Sequence, residues 1–189
     1  MNKLVVACLL ILCQSPAPGQ DVDFFSEDLT FRIREGFFEV EGTYSFRNNT
    51  AREVNKMLFY PFPDTDYYGE ISYISISTEG DTNSQLATVS NNGSLFKLSI
   101  GPSMIMTYMI RYGQKLKSGE ARYIITTTKK WGKPLETAHY RLIFASDIQM
   151  DSVSVEPDTI VHVRGITEYR WERVNFMPEK DFIFKFSQN

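Results

Sequence analysis

The chain has 189 residues, 42% of them hydrophobic, and a formal net charge of −3. That length suits one domain, which at this size buries roughly 70% of its unfolded surface. Mild acidity argues against nucleic acid as a partner, since that needs a basic face.

Lys3 and the apolar run Leu4–Leu12 read as the start of a secretory leader. The run is too short for a bilayer, which needs about 20 apolar residues. Ala17-Pro18-Gly19 supplies small residues for a peptidase, so cleavage is expected after Gly19. The reading divides the chain into a signal peptide, 1–19, and a single domain, 20–189, with no transmembrane segment in the mature part. A lipid anchor fits poorly: Leu12 before Cys13 is too large, and only Leu4, Val5 and Val6 precede Ala7-Cys8 as apolar residues. Both cysteines fall in the leader, so no disulfide can brace the mature chain. Loss of Lys3 moves its charge from −3 to −4. An exported, cysteine-free chain points to a bacterial envelope, periplasmic or extracellular.

Beyond residue 19 the hydrophobic period is two. Leu29, Phe31 and Ile33 alternate with polar residues, Glu35-Gly36 turns the chain, and Phe38, Val40, Tyr44 and Phe46 alternate again. This predicts a hairpin of half-buried strands. Gly42 sits in the inward phase and predicts a bulge or a close backbone approach. Asn48-Asn49-Thr50 and Asn92-Gly93-Ser94 match glycosylation sequons but read more simply as turns. Further strands are predicted over 54–60, 71–77, 85–90 and 95–100. Met104, Met106, Tyr108, Ile110 and Tyr112 form an inward stripe. Strands follow over 123–128 and 138–144, around Val153 and Val155, over 160–163 and 169–176, and through Phe182, Phe184 and Phe186. Leu135–Ala138 allows one helical turn at most. About a dozen strands near ten residues apart predict an all-β antiparallel sandwich.

The second half carries distinctive wording: Tyr123 to Thr128, Trp131-Gly132-Lys133-Pro134-Leu135, Ala138-His139-Tyr140-Arg141-Leu142, then Asn175-Phe176-Met177-Pro178 and Asp181-Phe182-Ile183-Phe184. It resembles uncharacterised exported bacterial β-sandwich domains, in which a Trp-Gly-x-Pro loop and a closing Pro-x-x-Asp strand recur. The order of features is also similar to the non-catalytic N-terminal β-domain of the gluzincin aminopeptidases. That resemblance implies a scaffold without peptidase chemistry. His139 and His162 are the only histidines, neither is followed by Glu, and no His-Glu-x-x-His motif exists.

Candidate contacts lie on two loops. Asp64-Thr65-Asp66-Tyr67-Tyr68-Gly69-Glu70 spaces carboxylates somewhat like a calcium loop, yet Tyr68 stands where a third ligand belongs and Glu70 comes too early, so a solvated acidic turn is the simpler reading. Lys129-Lys130-Trp131-Gly132-Lys133 offers an aromatic anchor beside basic residues, or an indole that plugs the end of the sandwich. Trp171 reads as core, with its N–H bonded at the rim. No cofactor is implied. These features predict a non-catalytic envelope or extracellular binding module with a protein partner. Tyr67, Tyr68, Trp131, Lys130, Asp64 and Asp66 are its candidate contacts. A carbohydrate module stacking sugars on the three rings is the alternative. A hydrolase would need a pocket where Asp or Glu converges with His139 or His162.

Overall fold

The computed structural model describes residues 21–188, apart from positions 35, 82, 84 and 86. The expected leader, its cleavage point and both cysteines lie outside the described residues. Thirteen strands run β1 Val22–Arg34, β2 Phe37–Asn48, β3 Val54–Pro61, β4 Ile71–Thr78, β5 Thr88–Ser90, β6 Gly93–Ile100, β7 Ile105–Lys115, β8 Glu120–Tyr123, β9 Leu135–Ala145, β10 Ile148–Val153, β11 Thr159–Val163, β12 Ile166–Phe176 and β13 Phe182–Gln188. One turn of helix, α1 Thr65–Tyr68, follows β3, and a 3-10 segment, Thr126–Trp131, follows β8.

The fold is an all-β sandwich with unequal layers. One layer is a seven-stranded sheet in the order β11-β12-β9-β1-β2-β7-β4. The other is split into two three-stranded sheets, β3-β6-β5 and β10-β13-β8. Both halves cover the same face of the large sheet. On β2, Phe38 meets Phe184 of β13, and Tyr44 meets Tyr60 of β3. Among the described pairings all are antiparallel except β1 with β9, which run parallel from Ser26↔Thr137 to Ile33↔Phe144. The large sheet's inward residues and the aromatics of β13 make the core, where Phe31, Trp171, Phe182 and Phe184 are buried. Trp171 donates its indole N–H to the Val155 carbonyl at 3.1 Å, as expected of a core indole with a rim bond.

Four local expectations are corrected. The strand predicted over 123–128 stops at Tyr123. The Asp181 carboxylate accepts the N–H groups of Ile125 and Thr126 at 3.1 and 3.0 Å and the Thr126 hydroxyl at 2.8 Å, which turns the chain into the 3-10 segment. Leu135–Ala138 is strand, not helix, because it opens the ladder of β9 against β12. Met104 is exposed and precedes β7, held in a turn where Ser103 has a φ of 53°. Val155 lies beyond the end of β10.

At Gly42 the register is unbroken, so no bulge exists there. A Cβ on Gly42 would come within 2.3 Å of Leu29 and 2.9 Å of the Tyr44 hydroxyl, so the glycine makes room for side chains. The bulge lies in β1 instead: pairing moves from Phe24↔Phe46 to Ser26↔Ser45, leaving Phe25 as the extra residue. The Arg47 guanidinium covers the ring of Phe25 at 4.3 Å. Asn48, the first sequon asparagine, is buried, and its amide donates to the carbonyls of Arg52, Ile100 and Gly101. That hydrogen bonding fits the turn reading of 48–50.

Candidate functional site: the gap between the half-sheets

β3 and β8 are edge strands of their small sheets, and no ladder joins them among the described residues. Between them opens a cavity of about 780 Å³. That is within the range of pockets that hold small organic ligands, roughly 300–1,000 Å³. β1 and β2 supply its floor through Phe24, Glu27, Tyr44 and Phe46. β3 forms one wall, from Lys56 to Pro61, and the segment from Tyr123 to Trp131 forms the other. Asp21, Arg52, Lys56 and Lys130 bring charge to it, and Arg52 is paired with Asp21 at 3.3 Å.

The floor is built by the β1 bulge. Val22 and Phe24 point inward on one parity, and beyond the extra Phe25 the inward set becomes Glu27, Leu29, Phe31 and Ile33. The bulge therefore turns an acidic side chain into the sandwich, where Glu27 is only 3% exposed. Its carboxylate accepts a hydrogen bond from the Tyr140 hydroxyl of β9. Burial pushes the Glu27 carboxyl up to about 7, against the opposing pull of the Tyr140 bond.

Beside Glu27 three tyrosine hydroxyls meet. Tyr44 lies 2.9 Å from Tyr60 and 2.9 Å from Tyr123, and Tyr60 lies 3.4 Å from Tyr123. The triangle bridges the large sheet, β3 and β8, closing the bottom of the gap between the half-sheets. Burial raises each of these phenols well above its ordinary value, and the negative charge of Glu27 adds to the rise in all three. Trp131 leans over the floor, its ring 5.8 Å from Phe24 and 5.4 Å from Phe46. Asp181 fixes that wall: it holds the start of the 3-10 segment and pairs with Arg122 at 2.6 Å, while Gly132 ends the segment at φ 71°.

The residues singled out from the sequence fall in two places. Trp131 and Lys130 line the cavity. Asp64 caps α1, its carboxylate accepting the Asp66 N–H at 2.9 Å. Asp66 borders a separate cleft of about 290 Å³ with Glu70 and Lys117, and its carbonyl accepts a hydrogen bond from Lys117 Nζ. Tyr67 is exposed, whereas Tyr68 is buried and donates its hydroxyl to Glu120 at 3.2 Å. The rings of Tyr67 and Tyr68 stand at 74° to each other, and neither lines the cavity that holds Trp131, so the three rings do not make one flat platform. Among the described residues no group of three or more His, Cys, Asp or Glu is placed to hold a metal ion. His139 lies 3.8 Å from Asp28, His162 bonds Thr167 at 3.0 Å, and neither lines the cavity. No catalytic site is evident among the described residues.

Sequence reasoning passed over Glu27, Tyr44, Tyr60 and Tyr123 as site residues. One signal was available: Glu27 stands two residues before Leu29, on the inward parity of the strand that Leu29 begins.

No protein-family model and no curated protein sequence matches the chain. Solved structures do share its fold. A Legionella pneumophila protein described as a candidate nutrient-binding protein aligns with a TM-score of 0.69 at 14% identity, over 88% of this chain and 67% of its own. An M1 zinc metallopeptidase of Deinococcus radiodurans aligns with a TM-score of 0.53 at 11% identity, over 88% of this chain and 42% of the peptidase. Its variant bound to a Tyr-Ser-Ala substrate gives 0.52 at 10% identity and 43% of the peptidase. The chain thus spans about two fifths of the peptidases it matches. The likeness to the N-terminal β-domain of the gluzincin aminopeptidases holds at the level of fold.

Proposed function

We propose that this protein is an exported, non-catalytic binding module that takes a small organic ligand into the cavity between its half-sheets. One observation carries the reading: the gap opens onto a floor where a buried carboxylate sits among tyrosine hydroxyls and aromatic faces. Burying a carboxylate without a cationic partner costs several kcal/mol, of order, and a well-packed apolar residue would avoid that cost. A group kept at such a cost in a cavity is a candidate for function. The fold shared with the Legionella protein, itself described in terms of nutrient binding, supports a binding scaffold. The apolar run Leu4–Leu12 and the small residues before Gln20 support export to a periplasm or the cell exterior.

A cavity-filling variant tests the reading. Leu58 lines the β3 wall and is half-buried. Compounds from a small-molecule panel that raise the melting temperature of the wild type are expected to have no effect on Leu58→Trp. Equal shifts in both proteins would place the site elsewhere.

A protein partner in the cell envelope is a second reading, favoured by exposed apolar side chains on β3 and β6. Met57, Phe59 and Leu95 are exposed on the outer face of the β3–β6 pair, with Phe59 directly opposite Leu95. An in-cell crosslink to one envelope protein should be lost in Phe59→Ser if this row is the contact, and retained if it is not.

A further inference from the structure

We infer that the cavity selects a primary ammonium group, which binds at Glu27 beneath the tyrosine triangle while the ligand's apolar body lies against Phe24, Phe46 and Trp131. The inference rests on the small-ligand reading and specifies its chemistry.

The first argument is a count of donors and acceptors. A phenol has one O–H to donate and two lone pairs to accept with. The three hydroxyls of Tyr44, Tyr60 and Tyr123 lie within 2.9–3.4 Å of one another, so each can donate to the next around the triangle. Their donors are then spent and a lone pair is left on each. The Tyr140 donor is spent on Glu27. With Glu27 ionised, above about pH 7, the floor presents carboxylate and phenol oxygens that accept and no free donor. A ligand group with several N–H donors and a positive charge matches that surface; a carboxylate, phosphate or carbonyl does not.

The second argument is charge. Glu27 is buried, lines the cavity and has no cationic partner among the described ion pairs. Its only described hydrogen-bond partner is the neutral Tyr140. An incoming ammonium supplies the missing partner, and its pairing with a carboxylate as buried as Glu27 is stronger than in water. The faces of Phe24, Phe46 and Trp131 line the same space and attract a cation through their ring quadrupoles.

The other charged groups set the orientation. Lys56 and Lys130 line the cavity with no described ion pair, and Arg52 is engaged with Asp21. Two strands along from Glu27, in the same cross-sheet row through Ala138, Arg173 of β12 is paired with Asp158. The cations of the walls and mouth disfavour an ammonium lodged there and leave the floor as its place. A ligand that also carries an acidic end would keep that end by Lys56 and Lys130.

The test is calorimetric titration of the purified protein with 2-phenylethylamine, 2-phenylethanol and 3-phenylpropionate at pH 8. The amine should bind at least about tenfold more tightly than the alcohol. Glu27→Gln should weaken the amine about thirtyfold or more while leaving the alcohol within a few-fold. If alcohol or propionate binds as well as the amine, the ammonium assignment is wrong while the cavity remains a ligand site. If none of the three binds, the assignment is also wrong, and a silent compound panel would remove the small-ligand reading with it. Should Glu27→Gln not fold, the wild type still decides. The amine stays charged below pH 9, so its affinity should rise about tenfold from pH 6 to pH 8 as Glu27 ionises. A flat profile would overturn the assignment.

Discussion

Glu27 is the residue on which the stability of the sandwich should depend most visibly on pH. Its carboxyl titrates at about 7 when folded, against an ordinary glutamate value of 4.5. Between those values the folded protein holds a proton that the unfolded chain has released, so stability falls as pH rises. The favourable contribution is complete below pH 4.5 and is lost as pH climbs through 7, by roughly 3 kcal/mol. Glu27→Gln should therefore melt higher than the wild type at pH 8 and nearly level with it at pH 5, by scanning calorimetry at both values. Equal melting curves at pH 8 would mean that Glu27 is not the buried acid described. The tyrosine triangle predicts the opposite sign: Tyr44→Phe leaves two buried hydroxyls short of a partner and should lower the melting temperature by about 2–6 °C.

Among the elements, β8 and the 3-10 segment after it depend on one carboxylate. Asp181 takes three hydrogen bonds from Ile125 and Thr126 and two from Arg122, and burial alone would have raised its pKa. The Arg122 and Thr126 bonds outweigh burial and hold the carboxyl below its ordinary value. Its contribution is accordingly present above about pH 4 and lost on acidification. Asp181→Ala should cost about 2–3 kcal/mol, since Arg122 is partly exposed and its charge partly screened. It should also free the wall that carries Trp131, seen as faster amide exchange over residues 125–131. Unchanged exchange there would assign Asp181 to general stability alone.

This element also marks the limit of what the sequence discloses. The strands were legible because a half-buried strand writes period two into its own residues, as in Phe38, Val40, Tyr44 and Phe46. The break after Tyr123 was not, because 123–128 is rich in Ile and Thr and the residue that ends the strand stands far along the chain at 181. Trp131 and Lys130 were found through their loop chemistry. The floor was missed for two reasons. Tyr44 reads as one more core aromatic, and the strand read from the sequence opens at Leu29, which leaves Glu27 outside it although it shares the inward parity. Non-local pairing, which sets β3 and β8 edge to edge without joining them, has no local signature.

For the whole molecule, the consequence of a split layer is a cavity that a continuous second sheet would have closed. The same architecture leaves Met57, Phe59 and Leu95 exposed on β3 and β6, and Met57 and Phe59 also line the cavity, so a partner docked there would cover the rim of the ligand site. The proposed export makes a prediction at this scale too. The protein recovered from its host should begin at Gln20, read by intact mass, and a species retaining Met1 would contradict the leader assignment. The binding account is tested most directly by fluorine NMR of the protein labelled with 5-fluorotryptophan. The chain has 2 tryptophans, Trp131 in the cavity wall and Trp171 buried in the core outside the cavity lining. Titration with 2-phenylethylamine should move the Trp131 resonance in a saturable way and leave Trp171 in place. Saturable binding that leaves the Trp131 resonance unmoved would show that the gap between the half-sheets is not the ligand site.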